Sequence, residues 1–121
     1  MPSVGSDFTP LELAVLRAIC ERHTVDRRAL EQQLSSATVL SRENTGAGFY
    51  TRFTVERSSD TDIGGERLRR GPAARIDGLK HGMGFILWLT EGYADCLEGY
   101  CYDENTTGIA LERAGFEILE T

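Results

Sequence analysis

The apolar positions of this chain fall into two periods, a helical one near the N-terminus and a strand-like one from Phe49 onward. Thr9-Pro10-Leu11-Glu12 opens the helical part. Thr9 stands as N-cap, Pro10 takes the first helical position where its missing N–H costs nothing, and Glu12 completes a capping box. Phe8 and Leu13 are spaced for a hydrophobic staple. Leu13, Leu16, Ile19 and Cys20 share one face, with Arg17 and Glu21 paired outside it, so a helix is predicted over 10–22. Thr24 or Asp26 caps a second helix over 26–35, whose stripe is Ala29, Leu30, Leu34 and Ala37. The two make an αα-hairpin. A short strand at 38–42 leads to the turn Asn44-Thr45-Gly46. Phe49, Thr51, Phe53 and Val55 then alternate with Tyr50, Arg52, Thr54 and Glu56, which predicts an amphipathic strand with its aromatic face inward.

Residues 58–72 have no period and are rich in Gly, Ser and charge, which reads as a long polar loop. A strand over 73–80 and a turn at His81-Gly82 follow. Met83 to Leu89 is an apolar run too short for an ordinary helix, and it reads as the central strand of an antiparallel sheet. Glu91-Gly92 closes a hairpin onto a strand at 93–102. The tail from Asp103 offers either a last strand at 116–119 or a helix at 109–114. The fold class is therefore α+β: an N-terminal αα-hairpin packed on a mostly antiparallel sheet of four to six strands. Residues 1–121 are expected to form a single domain, with 1–8 as a disordered leader.

At 121 residues and 40% hydrophobic, the chain has the size of one core. No segment approaches the ~18 apolar residues of a membrane span and no signal peptide opens the chain, so a cytoplasmic location is expected and a membrane is not. Three cysteines without a CxxC pair fit neither a disulfide framework nor a zinc site, and reduced structural thiols are expected. Net charge is −6, unevenly placed: residues 1–80 carry 12 basic and 11 acidic side chains, whereas 81–121 carry 1 and 8. An acidic C-terminal third favours a basic protein partner and opposes nucleic acid. Twelve of the 13 basic residues are arginine, the usage of a GC-rich bacterial genome.

Along the central strand Phe85, Leu87 and Leu89 face one side and Ile86 and Trp88 the other, so both faces of the sheet are apolar there. Helices cover only one. The second face requires the tail, a second subunit making a homodimer, or a ligand. Trp88, Ile86, Tyr50, Arg52 and Tyr100 are the candidate binding residues, aromatics with polar tips being common at recognition surfaces. For catalysis, the titratable cluster that the hairpins could assemble is His81 with Asp77, Glu98 and Asp103, a histidine beside carboxylates being able to act as a general base. No nucleophile, oxyanion motif or ligand spacing accompanies it, and no cofactor or metal is called for. Arg67, Arg69, Arg70 and Arg75 form a local basic patch diluted by Asp60, Asp62 and Glu66. The order helix, turn, helix, then Ser35 to Val39 also looks like the start of a winged helix-turn-helix, although Arg42 is the only basic group in its third-helix segment.

The elements GFYTRF at 48–53, GLKHGMGFILW at 78–88 and LEGYCYDE at 97–104 resemble a group of short, uncharacterised bacterial proteins. The resemblance covers residues 10–104 and implies a helical N-terminus followed by a glycine-punctuated antiparallel sheet. It implies no activity, cofactor or catalytic residue. The function expected is a small non-enzymatic protein-interaction module of a bacterial cytoplasm, with a DNA-binding regulator and a small His81 enzyme as alternatives.

Overall fold

The computed structural model describes residues 7–119. Helix α1 (Pro10–Arg22) starts at the expected capping box: the Thr9 N–H donates to Glu12 Oε1 (2.8 Å) and the Glu12 N–H to Thr9 Oγ1 (3.2 Å). Val15, Leu16 and Ile19 on its inner face are fully buried. Helix α2 (Arg27–Ser35) follows a short turn. Asp26 occupies its N-cap position but makes no side-chain cap, because its carboxylate is taken by Arg69 Nε at 2.9 Å. The expected leader over 1–8 lies mostly outside the described residues, yet Phe8 is buried and packs edge-on against Phe53, 5.2 Å between ring centroids.

Six strands follow: β1 (Thr38–Asn44), β2 (Gly48–Thr54), β3 (Leu68–Ile76), β4 (Met83–Thr90), β5 (Tyr93–Cys101) and β6 (Phe116–Leu119). They form one sheet in the order β1-β2-β5-β4-β3-β6, with every neighbouring pair antiparallel. The α+β class, the helical pair and the antiparallel sheet are those the sequence predicts. Two boundaries differ. The long loop is shorter than 58–72, since β3 begins at Leu68 and a 3-10 turn occupies Ser59–Thr61. Gly71 and Pro72 sit where the β3–β4 register shifts, and a bulge is where a sheet tolerates a residue that cannot donate to its neighbour. At the other end β3 stops at Ile76, so residues 77–82 form the turn. In the tail, the alternatives resolve to the strand: β6 pairs with β3, Ala74 opposite Ile118, and 109–114 hold a turn at 111–113 in place of a helix.

Phe49, Thr51 and Phe53 of β2, Met83, Phe85 and Leu87 of β4, and Leu97 of β5 form the inner face of the sheet and pack under α1 and α2 in one hydrophobic cluster. Three polar clamps fasten the layers. Glu12 is one, treated below. Gln33 is another: its amide Nε2 donates to the carbonyls of Thr61 (2.6 Å) and Gly92 (2.9 Å), and its Oε1 accepts from the Ala94 N–H (2.9 Å). Thr106 is the third, its hydroxyl donating to Asn44 Oδ1 at 2.7 Å and accepting from the Gly48 N–H at 3.2 Å. The unpaired half of β3 is also capped, by Arg22 Nη1 donating to the Gly71 carbonyl (2.6 Å) and by His23 Nε2 lying 2.9 Å from the Arg70 carbonyl oxygen.

Glu91 (φ 53°) and Gly92 (φ 89°) make the two-residue β4–β5 turn, the left-handed pair that a tight hairpin needs. Gly48 is the more demanding position. Its φ is 142°, and a Cβ there would overlap the Gly99 carbonyl across the β2–β5 seam. Both obstacles are backbone and cannot swing aside, so Gly48→Ala is expected to cost roughly 2–3 kcal/mol. Urea denaturation checks this, and a loss below about 0.5 kcal/mol, the scale of an ordinary surface change, contradicts it.

Candidate functional site

Odd and even residues of β2, β4 and β5 point to opposite sides, and the side away from the helices carries Tyr50, Arg52, Ile86, Trp88, Cys96, Glu98 and Tyr100. The strand registers set these in rows. Arg52, Cys96, Trp88 and Leu68 lie side by side, and in the next row Glu43, Tyr50, Glu98, Ile86 and Arg70. Trp88 Nε1 donates to Glu98 Oε1 at 2.9 Å, which holds the indole flat on its neighbours. The Arg52 guanidinium stacks over the Tyr50 ring, 5.1 Å from its centroid, and lies 3.8 Å from Glu43. The charge of Glu98 is the chief cause of a raised Tyr50 pKa. Tyr100 lies over Gly84, whose missing side chain leaves the room, and meets Tyr102 edge to face at 5.7 Å.

Among the described residues, the tail does not cover this face. Its contacts run to the β1–β2 turn through Thr106, to the 77–82 turn through Glu104, and to the helix side, where Leu111 is buried beside Leu11 and Phe49. Ile86 and Trp88 are half-buried by their neighbours within the sheet. At the β1 edge, where the register shifts between Val39 and Ser41, Leu40 stands 66% exposed. It rims an open depression of about 400 Å³ whose other walls include Tyr50, Arg52, Trp88 and Cys96. Nothing in the sequence flagged Leu40; its strand has no clean alternation, and the bulge that turns it outward is a property of the paired structure.

The four titratable candidates stand in separate contexts. Asp77 pairs with Arg75 at 2.5 Å, Glu98 serves Trp88, and His81 sits in the 77–82 turn, where its backbone N–H and that of Lys80 both donate to the Glu104 carboxylate (2.8 Å each). Those two backbone donors hold the Glu104 pKa down. Asp103 is exposed at the end of β5. The arginine patch is likewise divided: Arg69 is bound by Asp26 and by the carbonyls of Glu66 and Leu68, and Arg75 by Asp77 and Glu117. The segment in which a winged helix-turn-helix places its recognition helix is strand β1.

Among the described residues one carboxylate is buried, and sequence reasoning gave it only a capping role. Glu12, 3% exposed, receives Arg42 through Nε (2.9 Å) and Nη2 (2.8 Å), the Thr51 hydroxyl and the Thr9 N–H. Burial alone pushes its pKa up, but the hydrogen bonds from Arg42, Thr51 and Thr9 together hold it below the usual carboxylate value. Both oxygens are committed. The adjoining cavity is about 50 Å³, the size of a water, and the carboxylate acts as a joint between α1 and the strands. Cysteines 20, 96 and 101 are free thiols, and burial pushes the Cys96 thiol up to about 11, away from nucleophilic character at neutral pH. Among the described residues no three His, Cys, Asp or Glu side chains stand close enough to share a metal, and no helix is long and apolar enough to cross a membrane.

Fold and face together define a two-layer α+β protein with helices on one side of an antiparallel sheet and an aromatic surface on the other. No protein-family model matches the chain, and comparison with curated proteins and with solved structures finds no match.

Proposed function

We propose that this chain is a small protein-interaction module of a bacterial cytoplasm and that the outer sheet face is its binding surface. The observation that carries the reading is the placement of Tyr50, Ile86, Trp88 and Tyr100 on the face that both helices and the tail leave open. Interface centres are enriched in Trp, Tyr and Arg and poor in lysine, and this face has three of those types in adjacent rows with no lysine among them. The free thiols support a reducing compartment. The likeness of residues 48–53, 78–88 and 97–104 to short bacterial α+β proteins belongs to the same proposal. The partner is a second copy of this chain, making a homodimer, or else a basic protein drawn by the acidic C-terminal third.

The test immobilises three forms, the natural chain, Trp88→Ala and Arg28→Glu on exposed helix α2, each checked for native circular dichroism, and compares the proteins they retain from a bacterial extract. A protein bound by the natural chain and by Arg28→Glu should bind Trp88→Ala at least ~30-fold more weakly, the scale of a central anchor worth ~2 kcal/mol. Retention that is the same for all three forms removes the reading, and so does the failure of all three to hold either an extract protein or added natural chain.

A further inference from the structure

We propose that the outer face takes a second copy of this chain, packed face to face about a two-fold axis that runs along the strands between β2 and β5. This rests on the reading of that face as a binding surface and names its occupant. The evidence is that the face is complementary to itself. Leu40 is an exposed apolar knob, and the depression it borders, floored by Trp88 and Cys96, is an adjacent hole. A two-fold interface needs both on one surface, because whatever residue i offers to j is offered back.

The axis follows from the strand order. In β1-β2-β5-β4, rotation about the line between β2 and β5 lays β1 over β4 and β2 over β5. Leu40 of each copy then meets Trp88 of the other, the Tyr50 hydroxyl meets the Glu98 carboxylate, and Arg52 meets Cys96 with Asp95 beside it. No two like charges face each other in that register. An axis along β5 sets Glu98 against Glu98, and one along β2 sets Arg52 against Arg52. A strongly basic partner would meet Arg52 and Arg70 on this face, whereas a second copy sets Asp95 beside Arg52 and the Tyr50 hydroxyl opposite Glu98. Four strands at about 4.8 Å spacing and about 8 residues of about 3.3 Å cover roughly 500 Å² of sheet, less than the ~800 Å² per partner of a standard interface, so the pair should exchange at micromolar concentration.

Sedimentation velocity of the natural chain from about 1 µM to about 1 mM should show a concentration-dependent doubling of mass. Leu40→Glu should remain monomeric across that range; Leu40 is exposed, so its replacement leaves the core intact, and an unchanged thermal melt confirms it. For the register, an equimolar mixture of Leu40→Cys/Cys96→Ser and Thr90→Cys/Cys96→Ser chains, treated with a short bis-maleimide, should yield a covalent dimer linking position 40 to position 90, an exposed residue on the Trp88 side of β4. A dimer that survives Leu40→Glu, or links between two copies of position 40 as edge-to-edge pairing through β1 would give, overturns the proposal. A natural chain that stays monomeric overturns it too. If such a monomer still retains other proteins through Trp88, the binding surface stands without self-pairing; if it retains none, both readings fall.

Discussion

Replacing Glu12 with alanine should lower stability by about 3 kcal/mol, the low end of the cost of breaking a buried ion pair, because Arg42 can turn partly to water while Thr51 and the Thr9 N–H cannot. A chain of this size should lose roughly 10 °C of melting temperature with it. The carboxylate also sets a pH dependence. A group whose folded pKa lies below its unfolded value, about 4.3 for glutamate, contributes stability that is fully present above that value and is lost as pH falls through the folded one. Urea midpoints of the natural chain and of Glu12→Gln should therefore be far apart at pH 7 and converge as the solution is taken below about pH 4. Parallel profiles would mean that the charge of Glu12 contributes nothing and that its hydrogen bonds act as a neutral group's would.

Gln33→Leu should cost a similar amount, about 3 kcal/mol, for a different reason. The apolar side chain is of similar bulk and fits the space, but it strands the Thr61 carbonyl and the Ala94 N–H and leaves the Gly92 carbonyl with only the Ile63 N–H. An orphaned buried group loses its water without recompense. Because the clamp joins α2 to the 3-10 turn and to the β4–β5 hairpin, the expected signature is local as well as global. Hydrogen exchange at the Ala94 amide and around Thr61 should accelerate more than at Leu97, which the sheet ladder protects independently. Uniform acceleration, or a loss under about 1 kcal/mol, would show that the polar contacts are incidental to the packing of α2.

Much of the architecture was legible because it is written in short-range terms. Thr9-Pro10-Leu11-Glu12 is a helix start by local chemistry alone, and the alternation around Phe49 and Phe53 and the Glu91-Gly92 turn were equally plain. What escaped depends on partners far along the chain. Glu12 reads as a cap until Arg42 and Thr51 are folded against it, and Gln33 reads as a surface residue until two loops arrive above it. β3 was read late because a bulge with glycine and proline interrupts the very alternation by which strands are recognised. The candidate face was half-visible: Trp88, Ile86, Tyr50, Arg52 and Tyr100 follow from parity, whereas Leu40 does not, and among the titratable residues Asp77 and Glu98 take partners, Arg75 and Trp88, that their spacing does not announce.

The strand order has a kinetic consequence. β3, β4 and β5 follow one another in space as in sequence, and so do β1 and β2, so each group closes through short loops. The seam between them, where Tyr50 lies opposite Glu98, joins distant stretches of chain and must wait for a large loop to close. Until then both β2 and β5 present a naked edge, with Phe49 and Leu97 uncovered beside it. The completion of that seam should set the pace at which the native sheet appears, and unfinished chains are most prone to zip onto one another along it.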